Sequence, residues 1–451
     1  MLHKSTGKTK CLSIPAKVGH LCAVGNVCKN KQQIMHSTKE IGMASTLGWL
    51  DHDANAQAKT LNILALFQQK ESRDELGIGA IRDSFAEQLF PGTSTIQTRL
   101  RYMLFVPWIY QRLENKRISA ANFGSQADRD ERALIIPLSR LEEDSAGTFG
   151  KNSREKLKRL PSSVYWSGLR RWGIHKMSCS QEEYHRRVDE LYRSRAESSE
   201  REYQEKNQGD MGDTSTFKRA QSWHSSLPAP PSNFPDEATF ALTRQEASFL
   251  RDRIQSSCQG SLLAWLTLHS EPANVSAPWE HPDYAKFPDA LQELLNHAQL
   301  FSYTMHGAAL LYNYLLAKER ADNDLLSQHH DSFVAWFTTL PREDIATWSL
   351  DRMWELTARP AYSISLKTRR FVEQWIALIR QSSGTLLTSK EACALIRARE
   401  IALKGPRSRF KNRRALERWS GYAGTLRLVY RWNNVQIVLN DLAQGLRREE
   451  C

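Results

Sequence analysis

Residues 74–112 spell out two helices with their start and stop signals, separated only by a short turn. Ile78, Ile81, Phe85 and Leu89 fall at three- and four-residue spacing, one apolar stripe of an amphipathic helix. Pro91-Gly92 stops that helix. Ser94-Thr95-Ile96-Gln97 then reads as a capping box, in which the Ser94 hydroxyl accepts from an early backbone N–H while Gln97 reaches back. Ile96, Leu100, Met103 and Leu104 supply the next stripe, and Pro107 ends or kinks it. A helix-turn-helix has this layout, with residues 78–90 as the first helix and 95–105 as the recognition helix. Thr95, Gln97, Thr98 and Arg101 would then stand outward at the N-terminal end, where base edges are read. An ordinary αα-hairpin uses the same signals with those side chains on a solvated face. The apolar run at 103–108 has the character of a buried helix.

The remainder predicts a mainly α fold with few short strands. An apolar run at Leu134-Ile135-Ile136 is followed by a charged helix around 181–193. Residues 194–235 turn Ser-, Glu- and Gln-rich and then Pro-rich, which predicts a linker ending in a strap that packs Trp223 and Phe234 onto a neighbouring domain. Leu291, Leu295, Ala298, Phe301, Met305, Ala308, Tyr312 and Leu315 keep helical spacing over a long central helix. Phe371, Trp375 and Ile379 mark another, Thr388-Ser-Lys-Glu391 a second capping box, and Gly405-Pro406 a stop. Leu426, Leu428, Tyr430 and Trp432 alternate with polar residues and predict one strand, after which Asn434 caps a last helix. The expected organisation is a disordered basic extension at 1–42, a helical domain at 43–193, the linker at 194–235 and a second helical domain at 236–451. Met43, where globular character begins, is an alternative translation start.

Charge sharpens this picture because it is localised. The formal net charge is +12, yet residues 1–42 carry +6 and residues 390–420 carry +7, which leaves the rest of the 451-residue chain at −1. Within the second patch, Lys404, Arg407, Arg409, Lys411, Arg413, Arg414 and Arg418 crowd around Phe410 and Trp419. Clustered cations of this kind neutralise phosphates, and interleaved rings stack on bases, which points to DNA or RNA. The competing reading is a solvated surface loop whose cations pair with acids of the same domain. Of the thirteen Trp, those at 172, 419 and 432 directly follow Arg, which suggests guanidinium-on-indole packing inside the structure.

Signals for chemistry are poor. Seven irregularly spaced Cys form no C-x-x-C pair, so no zinc ribbon or thioredoxin-type site is encoded, and free thiols in a reducing cytoplasm fit best. No secretory signal and no apolar run of membrane-spanning length is present. Asp51-His52-Asp53 has no second ligand pair and reads as a surface turn, and His329-His330-Asp331 reads as a polar loop. Gly7-Lys8-Thr9 lacks the earlier glycine of a phosphate loop, and neither H-E-x-x-H nor G-x-S-x-G occurs. No metal and no cofactor is expected.

Several blocks carry a family likeness. They are Gly48-Trp-Leu-Asp51, Leu89-Phe-Pro-Gly-Thr-Ser-Thr-Ile-Gln-Thr-Arg-Leu-Arg-Tyr-Met-Leu-Phe-Val-Pro-Trp108 and Arg159-Leu-Pro-Ser-Ser-Val-Tyr-Trp-Ser-Gly-Leu169. Others are Trp223-His, Leu227-Pro and Phe234-Pro, then Gly307-Ala-Ala-Leu-Leu-Tyr-Asn313, Arg399-Glu, Leu403-Lys-Gly405 and Tyr430-Arg-Trp432. In these the chain resembles, over roughly residues 44–447, a bacterial protein family known only as a domain of unknown function. The resemblance implies a bacterial cytoplasmic protein, assigns no catalytic residue, and suggests accessory roles near DNA processing or defence.

The leading expectation is a non-enzymatic, nucleic-acid-associated accessory protein. A helical scaffold that recruits another protein through its Trp-rich surface or the 223–235 strap is the alternative, and an enzyme assembled from dispersed residues is the third. Residues 1–42 lack the apolar content to fold, so their deletion is expected to leave the melting temperature unchanged in differential scanning calorimetry.

Overall fold

The computed structural model describes residues 74–141, 145–207, 221–382, 384 and 386–449. The basic extension, the Gly48–Asp51 opening and the Asp51-His52-Asp53 cluster lie outside them. The first helix, α1 (Gly79–Leu89), begins above the Asp74 carboxylate, which accepts from the N–H groups of Ile78 at 2.7 Å and Gly79 at 2.6 Å. Ile81, Phe85 and Leu89 are fully buried, as their spacing predicts. Gly92, at φ +78, turns the chain where a Cβ would lie 2.5 Å from Trp172 Nε1.

The second helix departs from expectation. Ser94 and Gln97 do exchange the reciprocal bonds of a capping box, at 3.1 and 3.3 Å. Residues 95–101 nevertheless form turns and open coil, and α2 (Tyr102–Asn115) starts only after them. Tertiary acceptors explain the delay. The Tyr165 hydroxyl takes the N–H of Thr98 at 2.8 Å, and Asp441 takes that of Leu100 at 2.9 Å, so these donors are engaged outside any helix. Every residue from Tyr102 to Tyr110 is buried, Pro107 included, and the helix runs through that proline. This is a core helix, and there is no helix-turn-helix here.

Next come α3 (Ala120–Ala133), α4 (Ile135–Ser139), α5 (Pro161–Arg171) with proline at its first position, and α6 (Gln181–Asn207). The last extends through residues 194–207, which composition assigned to the linker, and Arg195 on it pairs with the buried Glu114 at 2.7 Å. The strap packs tightly. Trp223 Nε1 donates to Glu114 at 2.7 Å, Trp108 Nε1 to the Pro228 carbonyl at 2.7 Å, and Phe234 stacks on Phe105 with centroids 5.7 Å apart.

In the second half, α7 (Arg244–Ser257) opens on a complete Thr243/Glu246 capping box, and Ser261 caps α8 (Leu262–His269). The 32-residue α9 (Asp289–Arg320) is the axis on which other helices pack. Left-handed Ala321 turns the chain into α10 (Asn323–Thr338), capped by Asp322. Contact between these two helices centres on Gly307, where a Cβ would fall 2.0 Å from the Trp336 ring. The chain continues through α11 (Arg342–Thr347), α12 (Leu350–Thr357), α13 (Leu366–Gln381), α14 (Lys390–Lys404), the short α15 (Arg413–Glu417) and α16 (Trp432–Leu446).

Several local expectations need correction. Among the described residues there is no strand, only isolated bridges such as His175 with Trp223. The alternating stretch at 426–432 instead ends in two left-handed residues, Tyr430 (φ 52) and Arg431 (φ 71), and runs straight into α16. Asn434 therefore sits inside the first turn, donating to the Gln97 carbonyl at 2.6 Å rather than capping. Ser389, not Thr388, caps α14. The His329-His330-Asp331 trio lies in α10, where buried His329 donates from Nε2 to the Gly421 carbonyl at 2.7 Å. Guanidinium-on-indole packing exists, but not between the adjacent Arg-Trp pairs: Arg320 covers Trp419 at 4.6 Å and Arg369 covers Trp354 at 5.2 Å.

Phe85 of α1 meets Phe301 of α9 at 6.0 Å and Tyr430 at 5.6 Å, and the described residues belong to one compact unit. Within it, Glu131 of α3 is buried with the Ser162 N–H on one oxygen at 2.8 Å and no partner on the other among the described residues. Burial pushes its carboxyl up to about 7.

Two predictions test this packing. Gly307→Ala is expected to destabilise the fold by at least about 1–3 kcal/mol through overlap with Trp336, read as a lower urea midpoint. For Glu131 the folded-state value lies above that of the unfolded chain. Its stabilising contribution is therefore present below the ordinary carboxylate range and is lost as pH climbs through about 7. Glu131→Gln is expected to flatten the fall in melting temperature between about pH 5 and about pH 8, and an unchanged profile would contradict the assignment.

Candidate functional site

Of the residues expected to read DNA, Thr95 is exposed and Thr98 half-buried, and the other two are interior. Gln97 and Arg101 are buried, and Thr98 gives its hydroxyl to the Gly147 carbonyl at 2.6 Å. Arg101 pairs with Glu246 at 2.7 Å and donates to the Thr239 carbonyl at 2.9 Å. Neighbouring Arg99 grips Asp441 at 2.9 Å. None of these donors faces a groove that could hold a duplex, so the three residues are structural.

The basic segment that follows α14 divides into two populations. Lys404 and Arg409 turn inward onto two carboxylates. Lys404 Nζ pairs with Glu75 and lies 3.6 Å from Glu400, while Arg409 reaches Glu75 at 3.0 Å and the Tyr312 hydroxyl at 2.9 Å. Glu400, fully buried, also accepts the Ser408 hydroxyl and the Arg409 N–H. Phe410 is packed edge-on to Tyr312 at 5.9 Å with the Arg397 guanidinium over its other side at 4.6 Å, which removes it as a free platform for bases. Arg407, Lys411, Arg414 and Arg418 are exposed, and none pairs with an acid among the described residues. Arg413 is exposed as well, with Glu417 one helical turn away at 3.3 Å.

Beside this segment opens a cavity of about 470 Å³ between the start of α1, the middle of α9 and residues 422–434. Glu75 and Tyr312, which anchor Lys404 and Arg409, line it, so the basic segment runs along its wall. Three guanidiniums reach it, each with a carboxylate nearby. Arg82 pairs with Asp83 at 2.9 Å, Arg431 with Glu87 at 2.9 Å, and Arg427 lies 3.6 Å from Glu280. Arg427 also stands over the Tyr303 ring at 5.0 Å. Tyr362 and Tyr422 contribute half-buried rings, and the Tyr422 hydroxyl is held by Gln328 at 2.7 Å. His306, held neutral because burial and the nearby Arg427 pull its value down to about 4, donates from Nε2 to the Thr425 carbonyl at 3.0 Å.

Sequence reasoning missed this cavity because its walls come from four distant stretches. Gly421 and Gly424, both at positive φ, turn the chain just before the stretch expected to be a strand. Among the described residues no group of His, Cys, Asp or Glu is arranged to hold a metal, and no helix is long and apolar enough to cross a membrane. The Trp-rich surface is not a surface: eleven of the described Trp are buried and Trp265 is half-buried.

No curated protein and no solved structure matches the chain. A family model described as "Family of unknown function (DUF6361)" does match, over residues 44–445. That span contains the basic segment and every wall of the cavity, and the chain belongs to this family.

Proposed function

We propose that the protein is a cytoplasmic, nucleic-acid-associated accessory protein that grips a DNA or RNA backbone with the exposed cations of residues 407–418. One observation carries the reading. Four cations within twelve residues, Arg407, Lys411, Arg414 and Arg418, stay exposed without an acid partner among the described residues, while adjacent Lys404 and Arg409 anchor the segment to buried carboxylates. An anchored segment presents these cations from a fixed backbone, so that binding a phosphate has side chains alone left to order. The alternative of a protein scaffold loses its main support with the burial of the Trp side chains and the packing of Trp223 and Phe234.

Fluorescence anisotropy with single- and double-stranded DNA and RNA at two salt concentrations tests this. Changing Arg407, Lys411, Arg414 or Arg418 to Gln is expected to weaken binding evenly across sequences. Each change should also shallow the salt dependence by about 0.7–0.9 log units per log unit of salt. Lys404→Gln and Arg409→Gln are expected to lower stability instead. Absence of binding to every nucleic acid at low salt would refute the proposal.

A further inference from the structure

We propose that the cavity bounded by Arg82, Tyr362, Tyr422 and Arg427 binds a single nucleotide, either free or as the terminal or extruded unit of a strand. The second source rests on the nucleic-acid reading above; the first does not. Size is the first argument, since about 470 Å³ falls in the range of small-molecule pockets and accommodates a base, a sugar and a phosphate.

Polar chemistry is the second. Arg82 and Arg427 belong to different walls, lie beside Asp83 at 2.9 Å and Glu280 at 3.6 Å, and leave 36% and 35% of their side chains exposed. Arg82 gives Nε and Nη2 to Asp83, and Nε and Nη2 of Arg427 are sealed from solvent, so Nη1 is the donor each guanidinium has left for a phosphate oxygen. The backbone N–H groups of residues 426–429, which line the same wall, donate to nothing among the described residues. Rings are the third. Tyr362 and Tyr422 present aromatic surface that accepts the face of any base, while Ala86, Ala309 and Ala423 keep the walls short enough to admit one. Histidine catalysis is not required: neutral His306 is already engaged with Thr425.

Titration calorimetry of the full chain with the four ribonucleoside monophosphates, ribose 5-phosphate and inorganic phosphate tests the pocket. Oligonucleotide anisotropy runs in parallel. Arg427→Gln and Tyr362→Ala are each expected to weaken mononucleotide binding by about tenfold or more, with ribose 5-phosphate insensitive to the tyrosine change. Changing Arg407, Lys411, Arg414 and Arg418 together to Gln should leave mononucleotides unaffected. Binding of oligonucleotides alone, weakened by both cavity variants, supports the strand source. Oligonucleotide binding that responds only to the exposed cations, with no mononucleotide binding at millimolar concentration, overturns the pocket and leaves the backbone grip standing. If nothing binds, both fall. Because Arg427 also packs on Tyr303, its variant is read only when its melting temperature matches the parent; otherwise Tyr362→Ala carries the comparison.

Discussion

Two carboxylates from the later half of the chain close on the arginines of the 99–101 turn, and the architecture follows from that clasp. Asp441 of α16 takes the Arg99 guanidinium and the Leu100 N–H, while Glu246 of α7 takes Arg101 and also completes its own helix cap. Charges this deeply withdrawn from water are costly unless met by well-aligned partners, and loss of one member of either pair would strand the other in the interior. They delay α2 until Tyr102, hold that helix in the core, and bring α7 and α16 to one place. The same clasp explains why the most duplex-like sequence element has no access to a duplex.

Regular elements were readable where burial and spacing agreed. The stripe Ile81, Phe85 and Leu89 and the long repeat through Phe301 and Tyr312 each became a helix close to the expected limits, because a single face decides them. Reading failed where a tertiary partner captured a local signal. The Ser94/Gln97 box formed but opened no helix, since Tyr165 and Asp441 hold the N–H groups that follow it. The alternation at 426–432 mimicked a strand, yet Tyr430 and Arg431 take left-handed backbone that no propensity scale assigns to them. Composition likewise suggested a linker where Arg195 reaches Glu114, a contact invisible without the fold.

The basic segment shows how charge arithmetic both guides and misleads. Counting cations singled out the region, but the count treated all of them as equivalent. Glu75 and Glu400, distant from it in sequence, convert Lys404 and Arg409 into anchors. Phe410 is held in the same way by Tyr312 and Arg397. What is left on the outside is a smaller set of charges on a firm base, beside a cavity whose guanidiniums each have a carboxylate nearby.

The pairing of Glu75 with Lys404 has a consequence for how the molecule is made. These residues lie 329 positions apart, and the clasp of Leu100 on Asp441 spans 341. During synthesis, α2 can pack early on α3 and α5, but the Glu75 and Leu100 contacts wait until nearly the entire polypeptide has been translated. Contacts of such long range slow folding and prolong the exposure of apolar surface. Termination of synthesis before residue 441 would therefore leave a chain without its central closure, a natural substrate for chaperones and proteases rather than a shorter working protein.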